Sequence, residues 1–275
     1  MRLRAYAKVN LGLRVLRRRE DGFHEVQGLM QTIGLADELV LEEGGRGIAL
    51  EVRPPLGVPP EENLASCAAE SVLRAVGSTA NLRIQLTKKI PAGAGLGGGS
   101  SDGAAVLVGV NELFRLGMDR AELMELAAEL GSDVPFFLLG GTCSVGGRGE
   151  HIKKLPPLPR YHLVLLVPPF PLPTAEVYRK LDELGKDEEN GGSPRPLRLL
   201  RNDLERAALA LRPELVKYRG FLEEAGPDFF GMSGSGPAWF AGFKERERAK
   251  AAVEALELPG RAILTEFIDY GYEIG

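Results

Sequence analysis

A glycine-rich segment in the first half of the chain places the strongest constraint on its fold. Residues 91–101 read Pro-Ala-Gly-Ala-Gly-Leu-Gly-Gly-Gly-Ser-Ser, with five glycines in the seven positions from Gly93 to Gly99. Residues 81–87 alternate polar and apolar side chains, which predicts a strand, and residues 104–116 predict a helix. A glycine loop between a strand and a helix directs backbone N–H groups and the positive end of the helix dipole at one point. The segment therefore predicts a phosphate-binding loop.

The same segment contains short patterns that are typical of other proteins. A flexible Gly-Ser linker is the simplest alternative, but linkers do not usually lie between a strand and an apolar helix. The Gly-x-Gly-x-x-Gly spacing from Gly93 to Gly98 would need a second strand with an acidic end about 20 positions later, and helical patterns follow instead. The loop lacks the lysine of a Walker A motif. A Gly-x-Ser-x-Gly pattern surrounds Ser101, but a hydrolase elbow needs a hydrophobic strand directly before its serine.

Composition narrows the class of protein. With 275 residues, 44% of them hydrophobic and 26% charged, the chain can bury one large domain or two smaller ones. The net charge of −4 disfavours a nucleic-acid partner. Cys67 and Cys143 form no Cys-x-x-Cys pattern, which favours free thiols in a reducing compartment. We expect a soluble cytoplasmic protein without a membrane partner, because no apolar stretch approaches membrane length.

The order of the predicted elements indicates an α+β fold with two lobes, residues 1–153 and 154–275. The first lobe is predicted to contain strands at 3–16, 26–35, 39–42 and 48–52 and helices at 63–76 and 119–130. The second is predicted to begin with a strand at 162–167, a helix at 174–184 and an exposed loop at 185–196. Further helices, a strand, a glycine turn, a strand, a helix and a last strand at 262–267 follow.

The first predicted strand carries two polar residues side by side. Its odd-numbered residues from Leu3 to Val15 are apolar and are expected to share one face. Lys8 and Asn10 lie on the other face, roughly 7 Å apart, next to the small Gly12. A half-buried strand often exposes a lysine, so the position of Lys8 alone does not establish a ligand site.

Two further segments carry candidate site residues. Asp133 follows a helix stop in Gly131-Ser132-Asp133-Val134-Pro135, where capping of a new helix is the ordinary alternative to a catalytic role. Residues 231–236 read Gly-Met-Ser-Gly-Ser-Gly and come directly before an apolar strand. They predict either a tight hairpin or a second backbone cradle for a phosphate group.

Three of these segments resemble the motifs of the GHMP kinases, in the order and at the spacing of that superfamily. They are Ala7-Lys8-Val9-Asn10-Leu11, the loop at 91–101 and the turn at 231–236. Within the superfamily, three segments are similar to those of kinases that act on a cytidine-diphosphate derivative of methylerythritol. They are the opening motif at 7–11, Arg19-Glu20-Asp21-Gly22-Phe23-His24 and Gly131-Ser132-Asp133-Val134-Pro135. The resemblance spans nearly the whole chain.

The resemblance implies a fold and a reaction. The N-terminal lobe would be like domain 2 of ribosomal protein S5, and the C-terminal lobe would be a ferredoxin-like α+β unit. The chain would use ATP to phosphorylate the 2-hydroxyl of the methylerythritol unit, a step of the non-mevalonate route to isoprenoid precursors. Asp133 would accept the proton of that hydroxyl. Lys8 would hold Asp133 as a carboxylate and offset charge on the transferring phosphoryl group, and Asn10 would help to position the diol.

The resemblance also implies contacts to the two substrates. Asn63 would lie near the adenine, and the ATP phosphates would be wrapped by Pro91, Ala92, Gly93, Ala94, Gly95, Leu96, Gly97, Gly98, Gly99, Ser100 and Ser101. Phe23 and Tyr178 would sandwich the cytosine, His24 would hydrogen-bond its edge, and Gly234 and Ser235 would lie near the diphosphate. The family more often has Tyr where this chain has Phe23, so stacking is kept and a phenol hydrogen bond is lost.

Mg²⁺ is implied as the partner of ATP, but the sequence names no ligand for it beyond Ser100 as a candidate contributor. His24, His151 and His162 have no metal-ligand spacing. Two alternatives remain. One is another member of the superfamily, such as a mevalonate-type or homoserine-type kinase or the related diphosphomevalonate decarboxylase. The other is a nucleotide-binding sensor without catalysis. Asp-Gly-Phe-His disfavours the first alternative, and the retained Lys8 and Asp133 disfavour the second.

Overall fold

The chain forms two sheets, each covered by helices, in a computed structural model that describes residues 1–185 and 201–275. In these ranges the strands are β1 (Arg2–Arg18), β2 (His24–Glu43), β3 (Ile48–Arg53), β4 (Leu82–Thr87), β5 (Thr142–Gly146), β6 (His151–Lys154), β7 (His162–Val167), β8 (Phe229–Met232), β9 (Trp239–Phe243), β10 (Arg261–Glu266) and β11 (Tyr272–Ile274). The helices are α1 (Leu64–Ala75), α2 (Gly98–Leu113), α3 (Arg120–Leu130), α4 (Val134–Leu139), α5 (Thr174–Leu184), α6 (Glu205–Leu211), α7 (Leu215–Glu224) and α8 (Arg246–Glu254). The predicted α+β class is confirmed. None of the described helices combines the length and apolar character needed to cross a bilayer.

The first sheet carries the glycine-rich loop. Its strand order is β11-β1-β2-β4-β3, and β5 and β6 extend it from β2. The strands β3 and β4 are parallel because α1 crosses between them, whereas the neighbouring pairs are antiparallel. The helices α1 to α4 cover one face and bury a core that includes Leu39, Ile84 and Val106. The chain leaves β4, forms the loop and enters α2 at Gly98.

The second sheet is antiparallel throughout and has the order β10-β7-β9-β8. Counted from β7, this is the order fourth, first, third, second of a βαββαβ unit, as the ferredoxin-like resemblance implies. The helices α5 to α8 cover its outer face around Trp239 and Leu166. Its inner face packs against the first sheet through Leu163, Leu165 and Phe240.

The strand β1 differs from the simple alternation expected of it. Leu3 and Ala5 lie in the core beneath α1 to α4, but Ala7, Val9 and Leu11 lie in the core between the lobes. The ladder with β2 shifts register between Tyr6 and Ala7, and such irregularities bend and twist a strand. The odd-numbered residues therefore do not share one core, as the sequence pattern had indicated.

Several element boundaries also differ. The two strands predicted at 26–35 and 39–42 form the single long strand β2, because the polar residues between them remain paired with β1. The short elements α4, β5, β6 and β11 are not predicted by the sequence pattern. Since β11 pairs with β1, the last residues return to the first sheet, and a boundary at 153/154 does not separate the sheets completely. That boundary stays a prediction. Beyond Gly185, the predicted loop at 185–196 lies outside the described residues.

The return of β11 predicts a strong effect of one small substitution. A Cβ atom on Gly271 would lie 1.9 Å from the carbonyl oxygen of Phe137 in α4. Gly271→Ala is expected to lower the free energy of unfolding by about 3 kcal/mol, because neither backbone can move without breaking its packing. Urea unfolding measures this. Gly220→Ala is the control, since a Cβ there meets nothing within 4 Å. Equal unfolding midpoints for the two variants would contradict this packing.

Candidate active site

Two polar side chains of β1 lie at the contact between the lobes. Lys8 is 4% exposed and Asn10 is 3% exposed, whereas the sequence had indicated a polar face open to solvent as the ordinary case. They are buried because the glycine loop at Gly97 and the late turn at Gly234 pack against them. Lys8 Nζ donates a hydrogen bond to Asn10 Oδ1. The pair is therefore fixed before any ligand arrives.

Asp133 lies directly before α4, and Gly131 ends α3 just ahead of it. Within the described residues its side chain makes no capping hydrogen bond, so capping does not explain this aspartate. Its Oδ2 lies 3.5 Å from Lys8 Nζ. The predicted contact of Lys8 with Asp133, 125 positions apart, is confirmed. The Asp133 side chain is 32% exposed and that of Lys8 is 5% exposed, so the carboxylate is the accessible member of the pair.

The glycine-rich loop passes over the aliphatic part of Lys8. The backbone N–H of Lys8 donates to the carbonyl oxygen of Leu96 at 3.0 Å. Gly97 has φ of +72°, and a Cβ there would lie 2.7 Å from Phe137 Cζ and 3.1 Å from Lys8 Cε. Only glycine permits this approach. The first N–H groups of a helix have no acceptor within it, so the start of α2 at Gly98 offers donors to a ligand.

The late glycine turn closes the site from the second lobe. Ser233 Oγ accepts a hydrogen bond from the backbone N–H of Asn10 at 3.2 Å and donates one to the carbonyl oxygen of Gly95 at 2.9 Å. A Cβ on Gly234 would lie 3.1 Å from Asn10 Oδ1 and 3.6 Å from Lys8 Nζ. The Ser233 hydroxyl therefore links the late turn to β1 and to the glycine loop, the three segments that resemble the GHMP kinase motifs.

Ser101 makes its hydrogen bonds inside the protein. Its hydroxyl donates to the carbonyl oxygen of Tyr6 at 2.6 Å, and its backbone N–H donates to the carbonyl oxygen of Gly97 at 2.9 Å. The residue is fully buried, because it lies on the side of α2 that faces β1. The phosphate contact of Ser101 stays a prediction.

A buried ionic cluster that sequence reasoning missed holds both ends of the loop. Lys88 Nζ donates to Asp102 Oδ2 at 2.6 Å and also to Asp37 Oδ2. Asp37 Oδ1 accepts from the backbone N–H of Ile90 at 2.8 Å. Burial raises the pKa of Asp102 well above its usual range, against the opposing effect of Lys88. Burial alone would lower the pKa of Lys88, but the two carboxylates outweigh it and the pKa is raised.

The hairpin between β1 and β2 presents Phe23 and His24. The backbone N–H of Arg19 donates to the carbonyl oxygen of Phe23 at 2.8 Å, and Asp21 Oδ1 accepts from the N–H of Phe23 at 3.1 Å. Gly22 supplies the positive φ that an Asp-Gly turn requires. The turn therefore fixes the backbone positions from which the side chains of Phe23 and His24 extend.

The aromatic contacts differ from the pairing that the sequence suggested. The His24 ring stacks on Tyr178 with 4.9 Å between centroids and 28° between planes, and the Arg148 guanidinium lies 5.1 Å from the centroid of Phe23. The sandwich between Phe23 and Tyr178 stays a prediction, now with His24 and Arg148 as additional ring partners. Burial, followed by the charge of Asp133, raises the pKa of Tyr178 to about 12. Tyr178 therefore lies near Asp133.

These parts line a single cavity of about 1180 Å³. Every predicted site residue except Ser101 lines it, including Asn63, Gly234 and Ser235. Asn63 caps α1 through Oδ1, which accepts from the N–H of Ala65 at 3.0 Å. The apolar side chains Leu56, Val58 and Leu64 also line the cavity.

Other lining residues were missed by the sequence analysis. Arg148 lies between Gly147 and Gly149, and this glycine-flanked position could have indicated a binding residue. Thr174 Oγ1 lies 2.8 Å from Ser235 Oγ at the start of α5, and its place directly after a proline is a weaker signal. Asp182 had no sequence signal.

The contact between the glycine loop and the late turn predicts a matched pair of effects. Gly93 and Gly95 both have positive φ, which costs an alanine about 1–2 kcal/mol. A Cβ on Gly95 would also lie 2.2 Å from the carbonyl oxygen of Ser233, whereas one on Gly93 meets nothing closer than 3.9 Å. Gly95→Ala is therefore expected to destabilise the protein by about 2 kcal/mol more than Gly93→Ala in urea unfolding. Equal losses would show that this loop is not seated on the turn.

Comparisons with known proteins agree with this arrangement. Residues 63–141 match the family model of the GHMP kinases N terminal domain, and residues 177–262 match that of the GHMP kinases C terminal. A 4-diphosphocytidyl-2-C-methyl-D-erythritol kinase from Syntrophomonas wolfei subsp. wolfei is 40% identical over 267 residues, which cover 93% of each chain.

Solved structures give the same result. A crystal structure of 4-(cytidine 5'-diphospho)-2C-methyl-D-erythritol kinase matches with a TM-score of 0.83 and 41% identity, covering 97% of this chain and 99% of that one. Homoserine kinase from Cytophaga hutchinsonii matches with a TM-score of 0.74, covering 99% and 96%, but its 20% identity supports the fold alone. The chain belongs to the GHMP kinases and, within them, to the 4-diphosphocytidyl-2-C-methyl-D-erythritol kinase family.

Proposed function

We propose that this chain transfers the terminal phosphoryl group of ATP to the 2-hydroxyl of 4-diphosphocytidyl-2-C-methyl-D-erythritol. The observation that carries the proposal is the pair of Lys8 and Asp133, 3.5 Å apart in the cavity that the glycine loop and the Phe23–His24 hairpin also line. Groups that can bind phosphate, accept a proton and stack on a base therefore line the same cavity.

Asp133 acts as the general base. The substrate hydroxyl forms a new bond to the γ-phosphorus, the bond between that phosphorus and ADP breaks, and the hydroxyl proton passes to the carboxylate. A hydroxyl is a weak nucleophile, so a positioned proton acceptor speeds the step. The Lys8 ammonium stabilises the charge of Asp133 and lies close enough to offset charge on the phosphoryl oxygens. Asn10 holds Lys8 and positions the diol.

The nucleotide lies along the glycine loop. Backbone N–H groups of the loop and of the start of α2 would bind the phosphates, and Asn63 with the apolar residues around Leu64 would contact the adenine.

The described residues contain no cluster of three His, Cys, Asp or Glu that could hold a metal alone. Mg²⁺ is nonetheless usually bound by one or two protein oxygens together with substrate phosphates. Asp102 Oδ1 has no hydrogen-bond partner in the part of the chain described, and Asp102 and Ser100 line the cavity beside the loop. Those two oxygens fit Mg²⁺ carried by ATP, which would offset charge on the phosphates.

The cytidine end lies between the hairpin and α5. Two aromatic rings offer flat surfaces to a base, those of Phe23 and Tyr178. The Arg148 guanidinium lies over the ring of Phe23, and His24 stacks on the ring of Tyr178. Gly234 lies next to Lys8, and Ser235 Oγ lies 2.8 Å from Thr174 Oγ1 at the start of α5, which suits a diphosphate that joins the base to the reacting alcohol. We expect the enzyme to act in the cytoplasm.

The direct test is release of ADP from Mg·ATP in the presence of one of three alcohols. Activity is expected with 4-diphosphocytidyl-2-C-methyl-D-erythritol and not with mevalonate or homoserine, because only the first presents a base to the hairpin. Phe23→Ala should raise KM for the alcohol substrate about tenfold or more and leave KM for ATP unchanged, since base stacking on one aromatic ring contributes about 1–3 kcal/mol. Turnover of mevalonate or homoserine instead would leave the kinase fold intact and contradict the assigned substrate.

A further inference from the structure

His24 is held by a carboxylate that lies outside all the motifs. His24 Nε2 is 2.7 Å from Asp182 Oδ1, although the residues are 158 positions apart. The side chain of His24 is 10% exposed and that of Asp182 is 38% exposed. Asp182 Oδ2 lies 4.0 Å from an Arg18 guanidinium nitrogen, which steadies the carboxylate from the other side.

The helix α5 supplies both constraints on the imidazole. Tyr178 and Asp182 are four positions apart and share one face of the helix. Tyr178 stacks on the plane of the ring, and Asp182 hydrogen-bonds one of its nitrogens. Together they fix the tilt of the ring and its rotation within its own plane.

The contact with Asp182 also decides which nitrogen carries the proton. A carboxylate only accepts hydrogen bonds, so Nε2 must be the donor. In the neutral ring Nδ1 then has a lone pair and no hydrogen. His24 lines the cavity, so Nδ1 is the ring atom left to recognise a ligand, as an acceptor.

An acceptor at this position distinguishes two pyrimidines. Cytosine carries an amine donor at position 4, whereas uracil, like thymine, carries a carbonyl acceptor there. We infer that Asp182 is a positioning residue that fixes the proton on His24 Nε2 and thereby selects a cytidine over a uridine diphosphate substrate. The inference rests on the proposed function, from which it takes the pyrimidine-bearing substrate. Opposed lone pairs reject uracil, and such repulsion is an efficient source of specificity.

The first measurement is ¹⁵N NMR of the imidazole nitrogens in the unaltered protein with the cytidine substrate and no ATP. The chain has three histidines, so the signals of His24 are identified by their loss in His24→Gln. We expect Nε2 to be protonated and Nδ1 unprotonated. A protonated Nδ1 in this complex would overturn the inference, and no variant of Asp182 has to fold for that result.

The second measurement compares kcat/KM for the cytidine substrate and its uridine analogue. Asp182→Leu removes the acceptor, so the preference for cytidine should fall about tenfold, the value of one lost hydrogen bond. The fall should appear in KM for the cytidine substrate, with kcat and KM for ATP unchanged, and the NMR signals should show mixed tautomers. Asp182→Asn keeps an acceptor oxygen and should retain most of the preference.

Glu176→Gln is the matched control, because it removes one negative charge from an exposed position on the same helix. It should behave as the unaltered protein does. An undiminished preference for cytidine in folded Asp182→Leu would overturn the inference. Failure of the proposed function gives a different result, in which the unaltered protein turns over neither the cytidine nor the uridine compound.

Discussion

The site depends on one buried contact between the lobes, in which the hydroxyl of Ser233 joins the glycine loop to β1. It accepts from the N–H of Asn10 and donates to the carbonyl oxygen of Gly95, and Ser233 itself is fully buried. A loop with five glycines in seven positions has little order of its own, so its shape must come from what it touches. The late turn supplies that contact, and Gly95 has room for it only because it lacks a Cβ.

Under the proposed function, nucleotide binding and chemistry lie on different elements of the site. The glycine loop and α2 would bind the phosphates through backbone donors, without a charged side chain. Lys8 and Asp133 come from β1 and from the residue before α4, two elements joined through Gly97 and Phe137. Residues that meet from separate rigid elements keep their geometry while substrates enter and leave. The hairpin that carries Phe23 and His24 is a further element of the same cavity, and under the proposed function it would contact the base of the substrate.

The sequence predicted local features well and long-range pairings only through resemblance. The strand before the loop and the helices predicted at 63–76 and 119–130 follow from patterns within a few residues, and all three are observed. The burial of Lys8 could not be predicted, because it depends on the glycine loop and the late turn, two segments distant in the sequence, packing against β1. The hydrogen bond from the Ser101 hydroxyl to the carbonyl oxygen of Tyr6 could not be predicted either, because the motif gives no sign of this contact between α2 and β1.

Residues without a local signal were missed for the same reason. The cluster of Lys88 with Asp37 and Asp102 joins three separate segments, and none of the three stands in a recognisable pattern. The sequence pattern predicts only an exposed helix residue at Asp182. Its contact with His24 forms because the fold places the β1–β2 hairpin next to α5. The geometry of the fold, rather than local propensity, decides such contacts.

The central claim is that Asp133 acts in the chemical step and the glycine loop acts in nucleotide binding. Single-turnover phosphoryl transfer by Asp133→Asn, with the Kd for ATP measured on the same sample, tests this most directly. The account predicts that the transfer rate falls about 10³-fold, as expected on loss of a general base, while the Kd for ATP changes less than about threefold. A loss of ATP affinity equal to the loss of rate, or a rate that is unchanged, would contradict it.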